Sequence, residues 1–363
     1  MRALLPLPLL AACATLPPEG RTPYAPSPAM AAVLLEHREM RAVPLHTVSA
    51  NTTRVREVPT LAEAAQAIPN VRGLPAPDID IPQVTSATAS GAAGPLTARL
   101  YRPALARDTP LIVWFPGGTW ATGSVDAADD AARQLSARTG WAVVAIATRR
   151  APENPFPAAH DDALAAYLWA RASARGWGAD PTRIVLAGAG PGANLALSTA
   201  LEARITGVAV PDHLLLVTPL VTTRLSGPSM AENAQSRPLT RGTVDWSQDK
   251  LTTARAQLLD PRLDLLPRPD LAALPPTTVI LAEIDPLRSQ GEDLAAALRS
   301  QSVPTSVRTF PGTSHAFFGL GQTVPEAAAA EDYAAQTLKT SLTRTLPPLA
   351  QRGPQRRANH RTR

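Results

Sequence analysis

From about residue 96 to residue 343, short apolar segments of strand length alternate with longer amphipathic segments of helix length. Pro110–Phe115 and Trp141–Thr148 are nearly continuous apolar runs, which is typical of strands buried on both faces of a sheet. Strands that alternate with helices form βαβ units, whose strands run parallel. The predicted strands are Leu96–Tyr101, Pro110–Phe115, Trp141–Thr148, Arg183–Ala187, His213–Val217, Thr277–Leu281 and Thr305–Phe310, and the predicted helices span 127–139, 158–175, 191–204, 289–301 and 325–343. The sequence therefore predicts an α/β fold with a mainly parallel central sheet and helices on both of its faces.

Composition excludes several other classes of protein. The chain has 363 residues, of which 45% are hydrophobic, so it can build a packed core. No segment approaches the roughly 18 consecutive apolar residues of a spanning helix, which excludes a bundle of transmembrane helices. A single cysteine, Cys13, excludes an intramolecular disulfide and a thiolate metal site. We predict no metal and no cofactor.

The net charge of +5 comes from the C-terminal end of the chain. Seven basic residues and no acidic residue follow Asp332, and without those seven the 35 basic residues fall to 28, against 30 acidic ones. Residues 344–363 therefore form a basic tail, which we expect to be disordered and solvated. No aromatic side chain alternates with its arginines, so the tail offers no platform for stacking bases, and we predict no nucleic-acid partner.

The N-terminal residues 1–13 have the pattern of a bacterial lipoprotein signal. Arg2 is followed by an apolar run that ends in Leu10-Ala11-Ala12-Cys13, with small residues directly before the cysteine. This pattern predicts lipidation of Cys13, a membrane anchor, and a place in the bacterial cell envelope facing the periplasm or the exterior. The alternative is an incidental cysteine in a frayed terminus, with the protein in the cytoplasm.

Two further segments lie outside the regular alternation. Residues 14–83 contain a Pro-rich linker and two predicted helices, at about 29–42 and 60–68, the second with a capping box formed by Thr60 and Glu63. Residues 220–260 are polar, are interrupted by prolines and contain a predicted helix near 240–258. The first segment precedes and the second interrupts the α/β domain that we predict over residues 84–343.

Distinctive residues follow the predicted strands, where α/β sheets place their ligand chemistry. Gly117-Gly118-Thr119 follows one strand, the glycine run Gly188–Gly192 another, and Asp285 and His315 the last two. The corresponding segments read PGGTW from Pro116, RAPENPFPAAHDD from Arg150, GAGPGANLA from Gly188, DPLR from Asp285 and HAF from His315. In order and spacing they resemble the hormone-sensitive-lipase-like carboxylesterases of the α/β-hydrolase superfamily, over most of residues 90–320.

This resemblance implies an α/β-hydrolase fold with a small helical cap, to which residues 14–83 and 220–260 contribute. It also implies cleavage of small, short-acyl carboxylic esters without a cofactor. In the family a serine attacks the ester carbonyl, a histidine takes the serine proton, and a carboxylate orients the histidine. Asp285 and His315 match the carboxylate and the histidine. Gly117, Gly118 and Thr119 match the loop whose backbone N–H groups receive the oxyanion. Taken singly, Asp285 could be a turn residue before Pro286 and His315 a loop histidine.

The glycine run departs from the family at the nucleophile itself. Gly190 occupies the place of the serine, and Ala189 replaces an acidic residue. Pro191 follows, and proline has no backbone N–H, so a second oxyanion donor is also missing. Pro116 replaces the histidine of the family's HGGG motif. We therefore predict a carboxylesterase-like protein with impaired triad catalysis, a pseudoenzyme that binds a small apolar ester or ester-like ligand.

Two alternatives remain open at this stage. A water molecule activated by His315 and Asp285 could replace the serine in an active but atypical hydrolase. In a different class, Gly188, Gly190 and Ala193 fit the G-x-G-x-x-[GA] pattern of a dinucleotide site. That pattern needs an acidic residue after the next strand, and here the strand ends in Val217-Thr218-Pro219. Ser247 and Lys250 match the S-x-x-K pattern of another hydrolase class, and no companion motif supports that match.

Overall fold

The computed structural model describes residues 22–40, 45–47, 59–67, 81, 83–104, 107–266 and 268–342. The predicted lipoprotein signal with Cys13, most of the Pro-rich linker and the basic tail over 344–363 lie outside these residues, so they stay predictions. No helix within the described ranges combines the length and apolar character needed to cross a membrane.

In the described part of the chain, eight strands form a single sheet at the centre of the protein. Their bounds are β1 Gln83–Gly91, β2 Gly94–Arg102, β3 Thr109–Phe115, β4 Ala142–Ile146, β5 Ala179–Ala189, β6 His213–Val217, β7 Thr277–Ile284 and β8 Thr305–Ser314. In space the strands follow the order β1-β2-β4-β3-β5-β6-β7-β8. Strand β2 runs antiparallel to both of its neighbours, β1 and β4, and all other neighbouring pairs are parallel. The prediction of an α/β fold with a mainly parallel sheet is confirmed.

Helices cover both faces of the sheet. The described helices are α1 Pro28–Glu39, α2 Leu61–Ala67, α3 Asp129–Thr139, α4 Ala158–Ser173, α5 Pro191–Ile205, α6 Pro228–Glu232, α7 Arg241–Leu251, α8 Arg288–Ser300 and α9 Pro325–Leu342, with short 3₁₀ helices at Leu45–Thr47, Ala174–Trp177, Arg255–Leu259 and Pro269–Ala273. One face of the sheet packs against α4, α5 and α8 and the other against α1, α2, α3 and α9, and each side has its own cluster of buried apolar side chains. The central strands are buried on both faces, which explains their continuous apolar sequence.

The two cap segments contact each other. The His46 ring nitrogen Nδ1 lies 3.2 Å from the hydroxyl of Thr243 in α7, so the N-terminal segment is tied to the insertion between β6 and β7. The capping box predicted at the start of α2 is present: the Glu63 N–H donates to the Thr60 hydroxyl at 3.2 Å, and the Thr60 N–H donates to the Glu63 carboxylate at 2.6 Å.

Two of the differences between the structure and the predicted elements have a clear physical reason. Strand β1, Gln83–Gly91, was not predicted, because it is an edge strand of largely polar and exposed residues with no apolar run. The helix predicted near 240–258 ends at Leu251, where Thr252 adopts an extended conformation, and only a 3₁₀ turn follows at Arg255–Leu259. Two consecutive β-branched residues, Thr252 and Thr253, favour that break.

Candidate active site

Strand β5 passes into helix α5 through a sharp turn at Gly190. Its backbone angles are φ 52° and ψ −119°, a conformation that residues with a side chain rarely adopt. The Gly190 N–H donates to the Val217 carbonyl at 2.9 Å, and the Gly190 carbonyl accepts from the N–H groups of Ala193 at 3.1 Å and Leu220 at 3.2 Å. The chain thus has the sharp strand-to-helix elbow on which α/β hydrolases expose their nucleophile, and glycine at its apex adopts that conformation without strain.

Asp285 and His315 form a hydrogen-bonded pair beside this elbow. Asp285 follows β7, His315 follows β8, and the Nδ1–H of His315 donates to Asp285 Oδ2 at 2.8 Å. The Asp285 side chain is 1% exposed, and its second oxygen accepts the Leu287 N–H at 2.8 Å. The carboxylate is therefore held on both oxygens, and it fixes the histidine in the tautomer that leaves Nε2 free to accept a proton.

The histidine faces the position of the missing side chain. A Cβ atom placed on Gly190 would lie 3.6 Å from His315 Nε2 and 3.7 Å from Cε1. Apart from the chain neighbours of Gly190, those two atoms are the only heavy atoms of the described residues within 4 Å of that position. The structure thus brings together Gly190, Asp285 and His315, the three residues that the sequence motifs align with a Ser-His-Asp triad.

The Gly-rich loop after β3 runs next to the elbow. A Cβ atom on Gly117 would lie 3.1 Å from the Ala189 carbonyl oxygen, which places this loop directly against the end of β5. The Thr119 N–H donates to the Thr122 hydroxyl at 3.1 Å, so this predicted oxyanion donor is already engaged within the loop. In the described part of the chain, the N–H groups of Gly117 and Gly118 make no hydrogen bond, and they are the loop donors that remain for an oxyanion.

Some supporting residues were not identified from the sequence. The Thr122 hydroxyl closes the Gly-rich loop, and the Asn233 side-chain amide donates to the Asp285 carbonyl oxygen at 3.4 Å. No sequence signal marks either of them, because single hydroxyl and amide side chains are common in loops.

A buried histidine in helix α4 links that helix to helix α5. His160 Nε2 lies 3.1 Å from Asn194 Oδ1, and the ring stacks on Trp120 and meets the edge of Phe156. Burial lowers the pKa of His160 to about 4, so the ring is neutral near pH 7. It serves as a packed, hydrogen-bonded support behind the elbow.

The two glycines that flank the elbow allow strand and helix to touch. A Cβ atom on Gly192 would lie 2.2 Å from the Phe115 carbonyl oxygen, and one on Gly188 would lie 2.4 Å from the Gly192 backbone. These close contacts fix where α5 begins relative to β3 and β5. They give the glycine run a packing role that needs no bound phosphate.

We expect Gly192→Ala to lower the free energy of unfolding by at least about 2 kcal/mol, because its methyl group must displace backbone rather than a flexible side chain. Gly176→Ala is the matched control, since a Cβ atom there has nothing within 4 Å and the backbone is not left-handed; we expect it to change stability by less than about 0.5 kcal/mol. Urea unfolding of both variants measures the difference. Equal stabilities would contradict the close packing of α5 on β3.

Two observations on the described residues concern metal ions and dinucleotides. Among the described residues, no group of three or more His, Cys, Asp or Glu side chains could hold a metal ion. Strand β6 ends at Val217 and is followed by Thr218 and Pro219, so the acidic residue of a ribose site is absent there.

Comparison with known proteins agrees with this geometry. A family model described as alpha/beta hydrolase fold matches residues 112–319. The chain is 33% identical over 277 residues to the carboxylic ester hydrolase LipN of Mycobacterium tuberculosis, covering 75% of this chain and 73% of that protein. It is 34% identical over 253 residues to the carboxylesterase NlhH of the same species, covering 68% and 79%.

Solved structures of esterases also superpose on this chain. The hyperthermophilic esterase of the archaeon Pyrobaculum calidifontis superposes with a TM-score of 0.77 at 28% identity, covering 87% of this chain and 98% of that one. A thermostable esterase from Pseudomonas putida gives a TM-score of 0.75 at 27% identity, covering 85% and 96%. Sheet, elbow and acid–histidine pair together define an α/β hydrolase. Within that superfamily, the chain belongs to the hormone-sensitive-lipase-like carboxylesterases.

Proposed function

We propose that this protein binds small carboxylic esters at a carboxylesterase site that has lost covalent catalysis. One observation carries the proposal: the position of a side chain on Gly190 faces His315 Nε2 at 3.6 Å, and no nucleophilic atom occupies it. A histidine without a hydroxyl to deprotonate cannot start acyl transfer.

Loss of the nucleophile is accompanied by loss of oxyanion stabilisation. Pro191, the residue after the elbow, has no N–H, and the Thr119 N–H is engaged with Thr122. Gly117 and Gly118 keep donors that could hold an ester carbonyl in the ground state. Such a site supports binding of an ester much better than its cleavage. The residual effect of binding and oxyanion contacts, without a triad, is roughly 10³- to 10⁴-fold over water.

A second candidate function uses the same dyad. His315, oriented by Asp285, could activate a water molecule in place of the serine, because the 2.8 Å hydrogen bond to Asp285 leaves Nε2 as the proton acceptor. That route forms no acyl-enzyme, so it would show no initial burst of product.

We expect the wild-type chain to hydrolyse p-nitrophenyl acetate and butyrate no faster than His315→Ala, and to resist labelling by a fluorophosphonate, because it has no activated serine. Saturation-transfer NMR with phenyl butyrate should still detect ester binding to both proteins. Turnover that exceeds the His315→Ala rate without a burst would replace the binding proposal by the water mechanism. Fluorophosphonate labelling that needs His315 would contradict both candidates.

A further inference from the structure

A buried glutamate holds the loop that follows His315. The side chain of Glu331 in α9 has no exposed surface. Its Oε1 accepts the N–H groups of Gly319 and Gly321, each at 3.0 Å. Its Oε2 accepts hydrogen bonds from the Arg138 guanidinium, from Nη2 at 3.0 Å and from Nε at 3.2 Å. Four donors therefore surround one carboxylate, which is the full complement that an ionised group can accept.

The loop lies flush against this carboxylate. A Cβ atom on Gly321 would lie 2.1 Å from Glu331 Oε2, so a side chain at that position would displace the carboxylate. Gly319 has a φ of 106°, and a Cβ atom there would lie 3.0 Å from the backbone nitrogen of Ala131 in α3. Carboxylate and helix together determine where residues 319–321 run.

Rigid packing connects these glycines to His315. Between them, Phe317 and Phe318 are buried and contact Phe310 and Trp114, with ring centroids 5.9 Å and 6.0 Å apart. Close-packed side chains transmit displacement rather than absorb it. On the other side, His315 is held by its hydrogen bond to Asp285.

We propose that Glu331 is a positioning residue: in its ionised form it fixes the loop through Gly319 and Gly321, and thereby sets the orientation of the His315 ring toward Gly190. This inference goes beyond the proposed function, because it concerns the orientation of the ring and holds whether or not the chain turns over an ester.

Protonation of Glu331 would weaken this arrangement. A carboxylic acid must turn its own O–H toward one of the four donors, so at least one contact is lost. Burial raises the pKa of Glu331 to about 7, while Arg138 and the two glycine N–H groups oppose the rise. The other charged groups of the cluster act through Arg138, which pairs with Asp332 and whose carbonyl accepts from Lys339 Nζ at 2.6 Å. We therefore expect the loop to loosen as the pH falls below about 7.

Protonation of Glu331, which loosens the loop, stabilises the folded state as a whole. The pKa of Glu331 is higher in the folded chain than its ordinary value of 4.5, so the folded state holds more protons between those two pH values. Its contribution to stability is fully present below about pH 4.5 and is lost as the pH rises through about 7. As the pH rises toward 7, the order of the loop should therefore increase while the contribution of Glu331 to stability decreases. This combination identifies Glu331 as the titrating group.

The test is NMR on the full chain, comparing wild type with Glu331→Gln and Asp332→Asn. Glutamine mimics the protonated acid. Asp332→Asn removes the other carboxylate on Arg138, which is 68% exposed and makes no contact to the loop glycines. The readouts are hydrogen-exchange protection of the Gly319 and Gly321 amides and the resonance of the proton between His315 and Asp285. At pH 8 we expect Glu331→Gln to lower protection at least 10-fold and to shift or broaden that resonance, and Asp332→Asn to leave both unchanged.

A His315 resonance identical in wild type and Glu331→Gln would overturn the proposal, even if the loop amides exchange faster, because Glu331 would then have a structural role alone. Should Glu331→Gln fail to fold, a titration of the wild-type chain from pH 6 to pH 8 decides. The resonance of the proton between His315 and Asp285 must then change with the same pH midpoint as the carboxyl ¹³C signal of Glu331. A resonance that does not change at that pH would refute the inference.

Discussion

The double variant Gly190→Ser/Pro191→Ala should hydrolyse p-nitrophenyl butyrate with a burst of product, and roughly 10²- to 10³-fold faster than Gly190→Ser alone. The serine restores a hydroxyl beside His315 Nε2, since the Cβ position on Gly190 lies 3.6 Å from that nitrogen. Alanine at position 191 restores the N–H that proline lacks, and one oxyanion donor contributes about 3 kcal/mol to lowering the barrier. Steady-state and burst kinetics of the two variants measure the difference.

Two controls separate chemistry from folding. Adding His315→Ala to the double variant should return the rate to background, because the serine then has no base. Gly190→Ser and Gly190→Ala should lose the same stability, about 1–3 kcal/mol, because both place a side chain at φ 52°. A double variant that folds and binds phenyl butyrate but still shows no burst would mean that position 190 is not the vacant nucleophile site.

Gly190 and Pro191 both suit the conformation of the elbow in which they stand. Glycine relieves the strain that a serine bears at this turn, and proline suits the first position of α5, where its missing N–H would have no partner within the helix. Both changes make the turn easier to form. Asp285 and His315 still form a short hydrogen bond of 2.8 Å. Asp285 also has a structural role, because it accepts the Leu287 N–H and so stabilises the turn before α8.

The central strands, and the residues that the structure brings together at the elbow, could be located from sequence because their signals are local. Strand β6, His213–Val217, was predicted with its observed bounds, since five residues buried on both faces give a continuous run between turn residues. The elbow, Asp285 and His315 were located by short motifs that directly follow strands. Such features depend on neighbours in the chain and not on contacts made at long range.

Features that depend on contacts between residues far apart in the sequence were not predicted. Strand β1 pairs with β2 at the sheet edge through its backbone, so its side chains carry little pattern. Glu331 stands in an Ala-rich helix, where a glutamate ordinarily faces solvent. Only the tertiary fold brings Gly319, Gly321 and Arg138 around it. Engagement of the Thr119 N–H by Thr122 is likewise a property of the folded loop.

The largest stability effect should come from Asp162, the last aspartate of the segment that begins at Arg150. Its side chain is fully buried in α4. Its Oδ1 accepts hydrogen bonds from the Ala92 backbone N–H and from Arg149 Nη2, each at 3.0 Å. Its Oδ2 accepts hydrogen bonds from the Arg149 backbone N–H at 3.0 Å and from Arg149 Nε at 2.8 Å. One carboxylate thus ties the β1–β2 turn and the loop after β4 to the helix.

We expect Asp162→Ala to lower the free energy of unfolding by about 3–5 kcal/mol, because it leaves the Arg149 guanidinium without its partner and two backbone N–H groups without an acceptor. Asp161→Ala is the matched control on the same helix. That carboxylate is 45% exposed and pairs with Arg262 at 3.2 Å, so its loss should cost less than about 1 kcal/mol. Urea unfolding of both variants gives the comparison. Similar losses in the two would show that Asp162 acts as an ordinary surface ion pair, and the β1–β2 hairpin would then need another anchor.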